Sequence, residues 1–263
     1  MEIVDLYRRL RANGVLGLNW RNAEYQLVHN QRRYFPLVDD KLKSKRLAEA
    51  AGIAVPPLFG VIEYPHEVRT FDAIVRNHED FVVKPAEGSG GDGILVVVGR
   101  DGAGFRLAGG TVMSADEMRF HINNILAGTF SLGGQPDKAL IEYRIRFDPL
   151  FKHIAFQGVP DIRIIVFHGV PVMAMTRLPT EQSSGKANLH QGAIGAGIDM
   201  TSGRTLNAVW HDRIITTHPD TGAPVSDVQI PHWDILLHHA ARSFDLTHLG
   251  YQGIDMVLDS ERG

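Results

Sequence analysis

Phe81-Val82-Val83-Lys84-Pro85-Ala86-Glu87-Gly88-Ser89-Gly90-Gly91-Asp92-Gly93-Ile94 reads as a short apolar strand that delivers one lysine into a glycine-dense loop. A second apolar strand follows, from Ile94 to Val98. Pro85 has no amide hydrogen to give a ladder, so it closes the first strand or sits at an edge. Gly88, Gly90, Gly91 and Gly93 let the backbone turn tightly, approach a ligand and aim successive N–H groups into one concavity. Such a nest favours an anion, and Lys84 adds a full positive charge beside it. Two readings fit the stretch alone: a grip for a triphosphate, or a glycine-rich hairpin turn with a lysine at a strand end.

The rest of the composition bounds the answer. A chain of 263 residues buries a sizeable core and suits two lobes. Its net charge of −3 gives no global electrostatic case for nucleic acid or membrane as a partner. There is no cysteine, which removes disulfides and thiolate chemistry and fits a reducing compartment. Met1-Glu2-Ile3-Val4-Asp5 lacks the basic and apolar regions of a signal peptide. No apolar run approaches the roughly 20 residues that span a bilayer. The expectation is a cytoplasmic protein.

From the start of the chain, Ile3, Leu6 and Leu10 have helical spacing, with Arg8, Arg9 and Arg11 opposite and Asn13-Gly14 as a stop. Asn22 is a candidate cap for a second helix. Asp39 to Gly52 is a strong helix pattern, and Lys41, Lys43 and Lys45 read on their own as its solvated face. A modest helix is expected over 66–79. Ser114 with Glu117 three residues on is a capping box. Ala139 to Ile145 reads as a strand, and His168-Gly169 joins two antiparallel strands, Pro160 to Phe167 and Val170 to Arg177. Thr180 to Gly197 is polar and too long for an idle turn, which marks a functional loop. A helix is expected from Trp233 to Phe244, and a strand followed by turn residues over Gly250 to Gly263.

These pieces, in this order, resemble the ATP-grasp ligases, in particular the alpha-L-glutamate ligase-like branch related to ribosomal-protein-modifying glutamate ligases. Carrying the resemblance are the Val38 to Lys45 helix start, Ala51-Gly52-Ile53-Ala54-Val55-Pro56, the Lys84 loop and Ile141-Glu142-Tyr143-Arg144. Pro160-Asp161-Ile162-Arg163, Met175-Thr176-Arg177, Ala187 to Ala193 and Gly250 to Asp255 complete it. The resemblance implies an α+β ATP-grasp fold, two lobes of mostly antiparallel sheet holding a nucleotide between them. It divides the chain into an N-terminal helical segment at 1–38, a first lobe at 39–143 and a second at 144–263. It implies ATP and Mg²⁺ as cofactors, a carboxylate substrate (glutamate by family name only) and an amine acceptor.

By that resemblance Lys41, Lys84 and the loop of Gly88, Ser89, Gly90, Gly91 and Gly93 take the phosphates, while Glu142 and Tyr143 meet adenine. Asp161 belongs to the nucleotide site, Arg163 and Arg177 converge on carboxylate or phosphoryl oxygens, and Asn188 positions substrate or metal-bound phosphate. A guanidinium fork suits such oxygens, although an Asp–Arg bridge is the plain alternative. Asp255 is the expected magnesium ligand. The family's following strand carries a Glu-x-Asn metal pair, and this sequence stops at Gly263 before it, so the expectation is a truncated chain.

Overall fold

The computed structural model describes residues 3–88 and 90–263; Ser89, expected in the phosphate loop, lies outside them. Two antiparallel six-stranded sheets organise the chain. The first comprises β1 (Leu58–Ile62), β2 (Phe81–Pro85), β3 (Leu95–Asp101), β4 (Gly104–Leu107), β5 (Val112–Met113) and β6 (Ala139–Glu142), in the order β1-β6-β2-β3-β4-β5. The second comprises β7 (Asp161–Phe167), β8 (Val170–Leu178), β9 (Ile194–Ile198), β10 (Thr205–Trp210), β11 (Arg213–Ile215) and β12 (Tyr251–Met256), in the order β11-β10-β9-β8-β7-β12.

Each sheet buries one face. In the first, Phe81, Val83 and Ile141 point into a core closed by Met118, Ile122 and Ile125 of the helix Ala115–Leu126. Phe71, Phe81 and Phe105 meet edge-on there, at centroid separations of 5.6–5.9 Å. Ser114 and Glu117 cap that helix reciprocally, as the sequence implied. In the second sheet, Ile162, Ile164 and Val166 alternate inward against Trp233, Leu236 and Ala240 of the helix Trp233–Thr247. Period-two alternation leaves Asp161, Arg163, Ile165 and Phe167 on the opposite face of β7.

The helix Lys41–Ala50 sits on the other face of the first sheet, where Leu42 packs with Ala86 and Leu140. Asp40 is its N-cap and accepts from the backbone N–H of Leu42 at 2.8 Å and of Lys43 at 3.2 Å. Burial alone would raise the Asp40 carboxyl; the Lys138 ammonium at 2.9 Å and the backbone donors outweigh it and hold it low. A backbone bond from Lys41 N–H to the Ala86 carbonyl at 3.0 Å ties the helix start to the exit of β2.

Several expectations change in detail. The second helix starts at Leu18 after Gly17, and Asn22 is no cap but lies inside a π-helical stretch, Arg21–Gln26. The expected helix over 66–79 is a 3₁₀ segment, Pro65–Thr70, with one α-turn, Phe71–Ile74. Gly197, expected in the long loop, is inside β9.

Candidate functional site

Lys84 leaves β2 on the face that carries the Lys41–Ala50 helix. Its cross-strand partner is Leu140, while Glu142 pairs with Val82, so Lys84 and Glu142 are diagonal neighbours on one surface. They form an ion pair. Lys45 reaches the same carboxylate at 2.8 Å and also donates to the Pro56 carbonyl. Lys41, one helical turn before Lys45, donates to the carbonyls of Ala86 (3.1 Å) and Gly88. Lys41 has no carboxylate within ion-pair distance among the described residues. Three ammonium groups thus gather at the root of the glycine loop around one directly bridging carboxylate. Burial, followed by repulsion from Lys84, pushes the Lys41 pKa down. Burial also lowers Lys45, with Glu142 opposing it.

Lys45 was read from sequence as part of a solvated face; its side chain is only 6% exposed, whereas Lys43 does face solvent. The available signal was the i, i+4 spacing of Lys41 and Lys45 flanking Leu42.

The glycine loop is anchored at both ends. Both carboxylate oxygens of Asp137 accept from Glu87 N–H at 3.0 Å, Gly88 bridges to Ser131, and the His121 ring holds the Gly93 carbonyl at 2.9 Å. Gly90, Gly91 and Gly93 have φ of 65°, 82° and 75°, and a Cβ at Gly93 would stand 2.5 Å from the Phe130 ring. The second sheet's long loop comes over it. Lys186 pairs with Asp92 at 3.3 Å, and a Cβ at Gly91 would lie 3.6 Å from the Lys186 chain. The amide of Asn188 is about as near Gly90, at 4.0 Å from such a Cβ, and its Oδ1 accepts from His190 N–H at 3.0 Å. Sequence reading missed Lys186, which only the approach of the two lobes makes relevant.

On the open face of the second sheet the four charged residues are already partnered. Arg177 grips Asp161 with two N–H groups, and Arg163 grips Asp255 at 2.6 Å through both Nε and Nη2. Arg177 also reaches Asp255 at 3.0 Å. Burial pushes the Asp161 carboxyl up, although the Arg177 fork opposes it. The quartet is charge-balanced, two guanidiniums for two carboxylates. No group of three or more histidine or acidic side chains suited to a metal ion occurs among the described residues. Asp255 has both oxygens occupied by guanidiniums, so in this arrangement it does not fit a magnesium ligand. A cation there would have to displace two positive groups.

After β6, Tyr143 N–H donates to the Pro57 carbonyl at 2.9 Å. Beside it lies a small hollow lined by Ala54, Val55, Pro56, Ile145, Val257 and the Tyr143 ring, with Arg262 over that ring at 4.8 Å.

A family profile described as sugar-transfer associated ATP-grasp matches residues 20–263. The chain belongs to the sugar-transfer associated ATP-grasp family. The resemblance to ATP-grasp proteins read from the sequence is thereby borne out, and the family matched is the sugar-transfer associated one. No curated protein gives a significant match. Among solved structures, D-alanyl-alanine synthetase A from Vibrio cholerae is similar at 13% identity and TM-score 0.50, over 89% of this chain and 55% of that one. D-alanine–D-alanine ligase from Bacillus anthracis aligns at 15% identity and TM-score 0.47, over 88% and 56% of the two chains. The ATP-grasp ligase PsnB complexed with minimal precursor aligns at 17% and 0.45, over 89% and 52%. The first of these is a likeness of fold alone, and the chain spans about half the length of the structures it matches.

The N-terminal segment of this ATP-grasp chain covers one end of the second sheet's open face. Tyr25 meets Phe167 and Tyr251 at 5.8 and 5.5 Å, and His29 meets His168 with ring nitrogens 2.9 Å apart. Asn30 exchanges side-chain bonds with the Tyr251 backbone at 2.7 and 2.9 Å.

Proposed function

We propose that this chain binds ATP between its two sheets and uses it to activate a carboxylate for attack by an amine. The observation that carries the reading is the half-buried cluster of Lys41, Lys45 and Lys84 at the root of the glycine loop. Glu142 bridges Lys45 and Lys84, while Lys41 holds only backbone carbonyls, so an ammonium group without a directly paired carboxylate stands where a triphosphate would supply the opposite charge. Lys41 and Lys84 would take phosphate oxygens with the N–H groups of the loop, while Lys45 holds Glu142 in place. The purine would lie against Tyr143, at the hollow that Pro56, Ile145 and Val257 line together with Asp259 and Arg262.

In the first step a carboxylate oxygen attacks the γ-phosphorus and the bond to the β-phosphate oxygen breaks, releasing ADP. In the second, the amine nitrogen attacks the acyl carbon, the bond to the phosphate oxygen breaks, and inorganic phosphate leaves. Arg177 and Arg163 would orient the carboxylate and then the acyl phosphate, exchanging part of their hold on Asp161 and Asp255 for substrate oxygens. Asn188, beside Gly90, would steady the transferred phosphoryl group. Magnesium would screen phosphate charge when it accompanies the nucleotide, and we assign it no ligand in this chain. The family's description favours a substrate pair from sugar-polymer or envelope assembly over glutamate, on which the residues give no specificity.

The test is a screen of carboxylates with ATP and hydroxylamine, reading ADP release and hydroxamate mass. An ATP-dependent hydroxamate with at least one carboxylate is expected; none with any, despite demonstrated ATP binding, argues for a nucleotide-binding module that does not ligate. Arg177→Lys keeps the charge on Asp161 but loses the fork. It should cut hydroxamate formation by about 100-fold with ATP binding retained.

Affinity for ATP should also depend on pH. The Lys41 pKa is lowered in the free protein, and phosphate beside the ammonium would raise it, so binding takes up a proton at pH between the free and bound values. The affinity is then constant below the free-state pKa and falls as pH rises through it towards the ordinary value of 10.5. Calorimetry in buffers of different ionisation enthalpy measures the uptake; proton release on binding would contradict the assignment.

A further inference from the structure

We infer that the N-terminal helix is a docking element for an anionic lipid surface, independent of the chemistry proposed above. The helix Ile3–Ala12 and the link after it are exposed throughout residues 4–20. At 3.6 residues per turn, Leu6, Tyr7 and Leu10 fall within about 100° of the circumference, with Arg9 and Arg11 at the two borders of that stripe. Among the described residues nothing covers the stripe: Leu6, Tyr7 and Leu10 are 43%, 57% and 42% exposed. In the next helical run Leu18, Leu27 and Val28 are each 64% exposed as well. Arg11 lies over the Trp20 ring at 4.2 Å and ties the two helical pieces together.

Charge selects the occupant. Six arginines against three acids give residues 1–38 a net +3, which leaves −6 for the remainder of a chain whose total is −3. An anionic surface attracts this end and repels the rest, which orients the protein on it. A second copy would set the same arginines against each other and is disfavoured. An apolar stripe bordered by arginines, with a tryptophan nearby, lies in a headgroup interface with its guanidiniums turned up to the phosphates. No described helix is long and apolar enough to cross a membrane, so the contact would be peripheral. The family profile begins at residue 20, which leaves the helix Ile3–Ala12 outside the matched residues.

The experiment is co-sedimentation of the full chain with phosphatidylglycerol/phosphatidylcholine vesicles, against pure phosphatidylcholine, at low and high salt. Binding only to the anionic vesicles, weakened by salt, is expected. The surface variant Leu6→Glu/Leu10→Glu should lower partitioning by about tenfold or more, with the melting temperature unchanged. Absence of binding to anionic vesicles, or wild-type binding by the Leu6→Glu/Leu10→Glu variant, overturns the inference. So does a concentration-dependent dimer, seen by light scattering without vesicle binding and lost in that variant; it would assign the stripe to a second copy.

Discussion

Glu142→Ala is expected to lower the thermal midpoint by roughly 10 °C. The Glu142 side chain is 4% exposed and sits between Lys45, 6% exposed, and Lys84, 20% exposed. Removing one member of a buried ionic group leaves the others desolvated and uncompensated, a loss of about 3–5 kcal/mol. In a chain of this size each kcal/mol moves the midpoint by roughly 2–4 °C. The Lys45 ammonium would keep only the Pro56 carbonyl, and its already lowered pKa would fall further. Adding Lys45→Met should recover part of the loss, because it removes a buried charge that no longer has a partner. A drop below about 1 kcal/mol in urea titrations would mean that Lys45 escapes to water, and the cluster would not be the rigid cationic site described above.

Lys84→Ala should leave a folded protein that ATP no longer protects. Glu142 keeps Lys45 in the variant, so the ionic group loses a member without leaving a lone charge. At an ATP concentration of about 100 times the dissociation constant, the wild type gains about 2.7 kcal/mol, a midpoint rise of roughly 5–10 °C. The readout is the shift caused by ATP in each protein, not the midpoint itself, so an intrinsic stability change in the variant does not confuse it. An undiminished shift would remove Lys84 from the phosphate site and leave it as Glu142's partner alone.

Much of the fold was readable because local rules and tertiary packing agree. The Ser114 and Glu117 capping box starts its helix where the spacing placed it, and the two strands joined at His168-Gly169 pair over nearly their whole length. Reading failed where packing overrules local preference. Ile194, Ala196 and Ile198 are inward-facing strand positions, but Gly195 and Gly197 between them hide the alternation, so the segment looks like loop. Asn22 has the chemistry of a cap, yet the helix had already begun at Leu18. The four charged residues of the second sheet were correctly placed on strands, and the Asp161 and Arg163 side chains on one face. Their mutual partners depend on register, Asp161 opposite Arg177 and Asp255 opposite Arg163, which no single strand reveals.

The Lys84 stretch shows where the boundary lies. By itself the sequence determined a strand, a lysine at its end and a loop whose glycines accept positive φ, because these follow from the chemistry of neighbouring residues. It also determined the order of elements that marks an ATP-grasp chain. Only the tertiary structure decided that Lys41 and Lys45 come down beside Lys84, that Glu142 binds two of the three, and that Lys186 closes over the loop. Those contacts join residues up to about a hundred positions apart, and burial sets their charge interactions. Whether a lysine is a solvated side chain or part of an anion site is therefore a property of the packed molecule.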